Sequence, residues 1–138
     1  MKQYRLHYSL LWLSFFGLMF GEFGCMKPKP ESFPELEIEP DQLQRQIQSG
    51  FEMEIIDVRT YEEYAEGHIP NAKFFPAEDI YQNIELIPKD KPVVLYCTVG
   101  NQSLLTARML VEQGYKNVEI LKGGLNAWTY EIEKKSYE

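Results

Sequence analysis

A chain of 138 residues has room for one folded domain and a short additional segment. Its 14 basic and 21 acidic residues give a formal charge of -7, which excludes the basic footprint of a nucleic-acid-binding surface. Two cysteines exclude a disulfide-dense scaffold, and with only two histidines they leave no ligand set for a metal cluster; no metal or other cofactor is expected.

The chain opens with Lys2 and Arg5, followed by the apolar run Leu10 to Phe20 and then Gly21-Glu22-Phe23-Gly24-Cys25. A positive start, a short apolar core and small residues before a cleavage point describe a secretory signal over residues 1–24, because a membrane span needs about 20 apolar residues. Cys25, directly after Gly24, resembles the lipid-attachment cysteine of bacterial lipoproteins, although Glu22 stands where the usual motif has an aliphatic residue. The resemblance implies cleavage before Cys25, acylation of its thiol and a membrane partner in the cell envelope. Cleavage there would take Lys2, Arg5 and Glu22 from the totals and move the formal charge from -7 to -8. Residues 25–35, from Cys25 through a segment rich in Pro, Lys and Glu, have no hydrophobic periodicity and suit an extended tether. With Cys25 acylated, Cys97 is left as a lone thiol without a disulfide partner.

A domain is expected over residues 36–130. Leu36 and Ile38 form a short first strand. Pro40 suits a first helical turn, Leu43 and Ile47 share a face, and Gly50 ends that helix. Met53 to Val58 reads as a strand closing on Asp57-Val58-Arg59. Thr60 with Glu63 three residues on is a capping box for a helix over Tyr61 to Glu66, which Gly67 stops. His68 to Ala72 is a turn, Lys73-Phe74-Phe75 a short strand, Ala77 to Asn83 a weak helix, and Ile84 to Lys91 a loop. Val93 to Tyr96 is a buried strand that leads into Cys97-Thr98-Val99-Gly100-Asn101-Gln102-Ser103, a polar loop ahead of a helix over Leu104 to Gln113. On that helix Leu104, Ala107, Leu110 and Val111 form the packing face. Val118 to Leu121 is the last strand, Lys122-Gly123-Gly124 a turn, and Leu125 to Trp128 tucks back. Residues 131–138 are a polar tail in a segment, 129–138, that can be helical.

Short apolar strands alternating with helices argue for an α/β fold with a mainly parallel sheet and helices on both faces. Sites in such sheets lie at the carboxyl ends of the strands. Cys97, Asp57-Val58-Arg59 and Gly123-Gly124 each follow a strand, so all three should gather at one edge. Loop amides and a helix dipole at Cys97 would suit an anion or a thiolate.

Three stretches together resemble a single-domain rhodanese, a sulfurtransferase. They are Ile56-Asp57-Val58-Arg59 with Tyr64 to Ala72, the cysteine loop with Gly100 and Ser103 at their spacings, and Val118 to Trp128. The resemblance spans about residues 36–130. It implies an αβα sandwich around about five strands, and a double displacement through a Cys97 persulfide. The partners it implies are a small sulfur donor, thiosulfate or a persulfide, and a thiol acceptor; a monomer is expected. Thr98, Val99, Gly100, Asn101, Gln102 and Ser103 are the implied substrate-binding loop, with Gly100 giving it its backbone freedom. Active members usually carry arginine where this chain has Gln102, and often where it has Thr98. Their absence removes bidentate oxyanion recognition and a cation beside the thiolate, so weak thiosulfate turnover or another donor is expected.

Asp57 and Arg59 are read as supporting residues, the carboxylate accepting loop amides and pairing with the guanidinium. His68 is read as a packed turn residue, Ser103 as a helix cap, and Tyr64 and Trp128 as core. Two other functions are open to the same sequence. One is a non-catalytic rhodanese-like binding or redox-sensing module at the membrane. The other is a related phosphatase, against which Ser103 argues by standing where phosphate binding requires arginine.

Overall fold

The computed structural model describes residues 36–135. Five strands alternate with four α-helices: β1 (Glu37–Ile38), α1 (Pro40–Gln48), β2 (Glu54–Asp57), α2 (Tyr61–Glu66), β3 (Lys73–Phe74), α3 (Ala77–Gln82), β4 (Val93–Tyr96), α4 (Asn101–Glu112) and β5 (Val118–Leu121). The strands form one sheet in the order β1-β5-β4-β2-β3, and every neighbouring pair is parallel. This is the five-stranded parallel sheet expected from the alternation.

The strands are apolar on both faces because both faces are covered. Along β4, Val93 and Leu95 point into one core, while Val94 and Tyr96 point into the other. The first core is closed by Ala77 and Ile80 of α3 and by Ala107 and Leu110 of α4. The second is closed by Leu43 of α1, Ile69 and Trp128. Burying a side chain of this size stabilises the fold by roughly 1.5–3 kcal/mol, so each half of β4's alternation anchors a layer. Tyr96 and Leu95 are fully buried, which places the residue after them at a rigid strand end.

Local signals act as expected at the helix ends. Thr60 Oγ1 accepts the Glu63 N–H, and the Thr60 N–H donates to the Glu63 carboxylate, completing the capping box of α2. Beyond α1, the Gly50 N–H donates to Ile47 O and the Phe51 N–H to Gln46 O, with Gly50 at φ 71°. That is the paired closure that a left-handed residue after a helix permits.

Helix α4 departs from expectation. It begins at Asn101 rather than Leu104, so Asn101, Gln102 and Ser103 form its first turn. Gly100, at φ 102°, turns the chain directly into the helix, and nothing in Asn101-Gln102-Ser103 resists helical geometry. Its buried face is Ser103, Thr106, Ala107 and Leu110, whereas Val111 is exposed and Leu104 half-buried. Thr106 can be buried because its Oγ1 donates to Gln102 O one turn back. The loop expected over 84–91 contains a 3₁₀ turn, Ile84–Leu86, tied down by the Tyr115 hydroxyl, which lies 2.6 and 2.9 Å from the carbonyls of Ile84 and Ile87.

The tail is not helical among the described residues. His68 and Glu133 instead exchange two backbone hydrogen bonds, 2.9 and 2.8 Å, as an antiparallel bridge. Gly67 makes room for it, since a Cβ there would lie 2.7 Å from the Ile132 side chain. The signal segment, Cys25 and the tether lie outside the described residues.

Candidate active site

Cys97 follows β4 directly and is 4% exposed. Its Sγ accepts the Gly100 N–H at 3.1 Å, and the Ser103 hydroxyl lies 3.7 Å away. The Ser103 Oγ donates to Gly100 O at 3.0 Å. Ser103 is therefore not the helix cap that its position implied: the capping position is Gly100, which has no side chain to cap with, and Ser103 is a buried polar group facing the sulfur. The first amides of α4 have no carbonyl partner within the helix, and the helix dipole places its positive end beside the sulfur. Negative charge developing on Sγ, as a thiolate or a persulfide, meets a donor already in place.

The floor of the loop is the turn after β5. Leu125 N–H donates to Cys97 O at 2.8 Å and Asn126 N–H to Thr98 O at 3.0 Å. Gly124 lies so close beneath that a Cβ would sit 2.5–2.6 Å from backbone atoms of Cys97 and Thr98. Its φ of 62° and ψ of -159° are open to glycine alone. Gly123-Gly124 thus joins the cysteine at the same sheet edge, as its position after a strand implied.

The third strand end meets them there. Asp57, fully buried, accepts from the Arg59 backbone N–H at 3.0 Å and from Arg59 Nε at 2.9 Å and Nη2 at 2.6 Å. Nη2 also donates to Gly67 O at 2.7 Å, and the guanidinium lies 5.8 Å over the Tyr96 ring. Tyr96 accepts the Ile69 N–H on its hydroxyl; burial, with Asp57 nearby, pushes its phenol pKa far up, so it stays neutral. Asp57 and Arg59 thus pair with each other and with the backbone, the contacts that a supporting role calls for. His68 is packed: its Nδ1 lies 2.8 Å from Tyr64 O and its ring stacks on Tyr64 at 3.9 Å. Trp128 is core, whereas Tyr64 is half-buried.

The remaining loop residues diverge. Val99, Asn101 and Gln102 are exposed. Gln102 lines a cleft of about 210 Å³ with Arg59, Thr60, Tyr61, Phe74 and Glu78. Thr98 is half-buried, and its hydroxyl donates to Glu63 Oε1 at 3.1 Å. Glu63 is the site neighbour that sequence reading missed. It is visible there only as a capping-box residue, and nothing local says that its second oxygen reaches a loop 35 residues away. Burial alone would raise its pKa, but hydrogen bonds from Thr60 and Thr98 and the nearby Arg59 charge outweigh it and hold the carboxyl below its ordinary range. A larger cavity, about 350 Å³, lies at the amino ends of the strands beside Pro92 and Asn117, and no cysteine or serine lines it.

Comparison with known proteins agrees with this fold. A sulfurtransferase of Allochromatium vinosum is 37% identical over 92 residues, which cover 67% of this chain and 86% of the relative. The thiosulfate sulfurtransferase GlpE of Coxiella burnetii is 42% identical over 74 residues, covering 54% and 69%. The crystal structure of a rhodanese-like domain protein from Staphylococcus aureus superposes with a TM-score of 0.64 at 33% identity, over 72% of this chain and 98% of that one. The model of the rhodanese-like domain family matches residues 39–131, and the chain belongs to that family.

Proposed function

We propose that this protein is a rhodanese-type sulfurtransferase whose nucleophile is Cys97. The observation that carries the reading is the sulfur at the end of β4, with the Gly100 N–H on it and the head of α4 beside it. The Cys97 thiolate attacks the outer sulfur of the donor. A new S–S bond forms at Cys97, and the donor's own S–S bond breaks, its electron pair leaving on sulfite or on a thiolate. The enzyme then holds a persulfide, stabilised by the same N–H and by the helix dipole. An acceptor thiolate attacks that terminal sulfur, takes it as its own persulfide and returns Cys97 as a thiolate. No net oxidation occurs, and no base is required once the thiolates are formed. Thr98 to Ser103 form the wall that the donor meets, and the loop presents no cation to an oxyanion.

Intact-mass spectrometry after exposure to thiosulfate or to a small persulfide tests the reading. The expected product is a Cys97 adduct of about 32 Da, one sulfur atom, lost on reduction. Absence of that adduct with every donor would rule the reading out. The cationless loop and the near-complete burial of Cys97 favour one second reading, a non-catalytic binding or redox-sensing module. Full biological activity in a Cys97→Ser variant would select it.

The N-terminal sequence supports an envelope location through acylated Cys25. Incorporation of a labelled fatty acid that disappears in Cys25→Ser is the expected result.

A further inference from the structure

We propose that Glu63 sets the donor class of the cysteine site, making its mouth anionic so that it disfavours dianions and favours sulfur compounds that carry an ammonium group. The inference deepens the sulfurtransferase reading and rests on it. Three observations lead to it. The first is placement. Glu63 Oε1 accepts from Thr98, the residue after Cys97, at 3.1 Å, while Oε2 accepts the Thr60 N–H at 3.2 Å and faces its hydroxyl at 3.1 Å. Held at both oxygens, the carboxylate cannot swing away from the loop.

The second is the local charge. Residues 97–103 contain no cation. The Arg59 guanidinium, beside Glu63, lies on the fully buried Asp57, which offsets it, and Arg59 directs Nη2 to Gly67 O as well. Glu63 therefore sets a carboxylate against a loop that carries no cation of its own. The third is the neighbouring cleft lined by Gln102, Glu78, Tyr61 and Phe74, where the Tyr61 ring already faces an ammonium group, Lys135 Nζ, at 5.6 Å. An aromatic ring beside a carboxylate suits an ammonium group.

The charge is separable from the fold. A capping box accepts glutamine as well as glutamate at the third helical position. Glu63→Gln thus keeps the bonds to Thr60 and removes the charge. Glu54→Gln removes a charge of the same sign at the opposite end of β2, away from the loop.

The test measures kcat/KM for thiosulfate and for cysteamine persulfide, an ammonium-bearing donor, in the wild type and both variants at low ionic strength. In Glu63→Gln the thiosulfate-to-cysteamine-persulfide ratio is expected to rise on the order of three- to tenfold, the lower range for removing one steering charge. The rise should shrink as salt brings the screening length below about 8 Å. Glu54→Gln should leave the ratio near the wild-type value, and thermal melting should show all three proteins folded. An unchanged ratio in Glu63→Gln would overturn the inference. So would an equal shift in Glu54→Gln, which would assign the effect to the overall charge rather than to Glu63. If no donor places sulfur on Cys97 in any of the three, the sulfurtransferase reading falls and this inference with it.

Discussion

Strands β2 and β4 lie side by side with Asp57 opposite Tyr96, and they end in opposite ways. At the end of β2, a buried carboxylate, a guanidinium and the Gly67 carbonyl satisfy one another. At the end of β4, a buried sulfur receives one amide and has a hydroxyl 3.7 Å away. The first corner contains full charges and keeps them paired, so it holds shape. The second has no acidic or basic residue in 97–103 and keeps the Gly100 N–H directed at the sulfur, so it can respond when that atom gains charge. A buried ion pair is costly to break but adds little chemistry, whereas a few oriented dipoles around a nucleophile suffice to stabilise an anion.

The largest expected effect comes from breaking the satisfied corner. Asp57→Ala strands the Arg59 guanidinium in a buried site, and a stability loss of about 3–5 kcal/mol is expected as a lower urea midpoint. If Cys97 still takes up sulfur in the folded fraction, the division between shape and chemistry holds.

Next comes the floor that the cysteine loop rests on. Gly124→Ala places a Cβ against the Cys97 and Thr98 backbone and forces an alanine into a glycine-only conformation. A loss of about 2–3 kcal/mol is expected, accompanied by a fall in transfer rate because the displaced atoms carry the sulfur. A stability loss with the rate unchanged would show that the loop is positioned from above, by α4, and not from below.

A smaller change gives the second corner the charge it lacks. Gln102→Arg, in the exposed first turn of α4, is expected to raise thiosulfate kcat/KM by about tenfold with stability nearly constant, since it offers an oxyanion a bidentate partner. No rise would mean that the loop cannot turn a guanidinium toward the donor.

The smallest effect lies at the far end of β2. Glu54, with 7% of its side chain exposed, pairs with Lys73 and, at 2.9 Å, with Lys91. Burial alone would raise its pKa, but the two lysines outweigh burial and lower it. A lowered folded value means stability that is present above the unfolded glutamate value, about 4.3, and is lost as pH falls through that value and then through the folded one. Both lysines are partly exposed and screened, so the contribution is at most about 1 kcal/mol. Glu54→Gln should flatten the acid limb of the stability curve below about pH 4 and leave sulfur transfer at neutral pH unchanged.

Much of this fold is legible along the chain because its signals are local. The Thr60–Glu63 capping box and Gly50 after α1 act within a few residues of themselves. The four apolar residues of β4 announce a strand covered on both faces. The Asp57–Arg59 pair is only two residues apart, so its mutual satisfaction could be argued before any contact was known. The misreadings fall where local chemistry is neutral. Asn101-Gln102-Ser103 neither favours nor forbids a helix, and the left-handed Gly100 decided the boundary. Val111 has the right spacing for the packed face of α4, yet the sheet covers only the stripe through Ala107 and Leu110. The tail looked polar and able to form a helix, but Glu133 pairs with His68 instead.

By itself, the sequence determined an α/β domain with its cysteine at a strand end, because periodicity, glycine and proline act on their own neighbourhood. It also determined that the loop has no cation, since that is a matter of composition. Only the tertiary structure decided what stands beside the sulfur. The Gly124 turn under the loop, Ser103 facing Sγ and Glu63 bound to Thr98 are contacts made when parallel strand ends converge. Convergence of that kind depends on the register and order of the whole sheet, which no single stretch of the chain encodes.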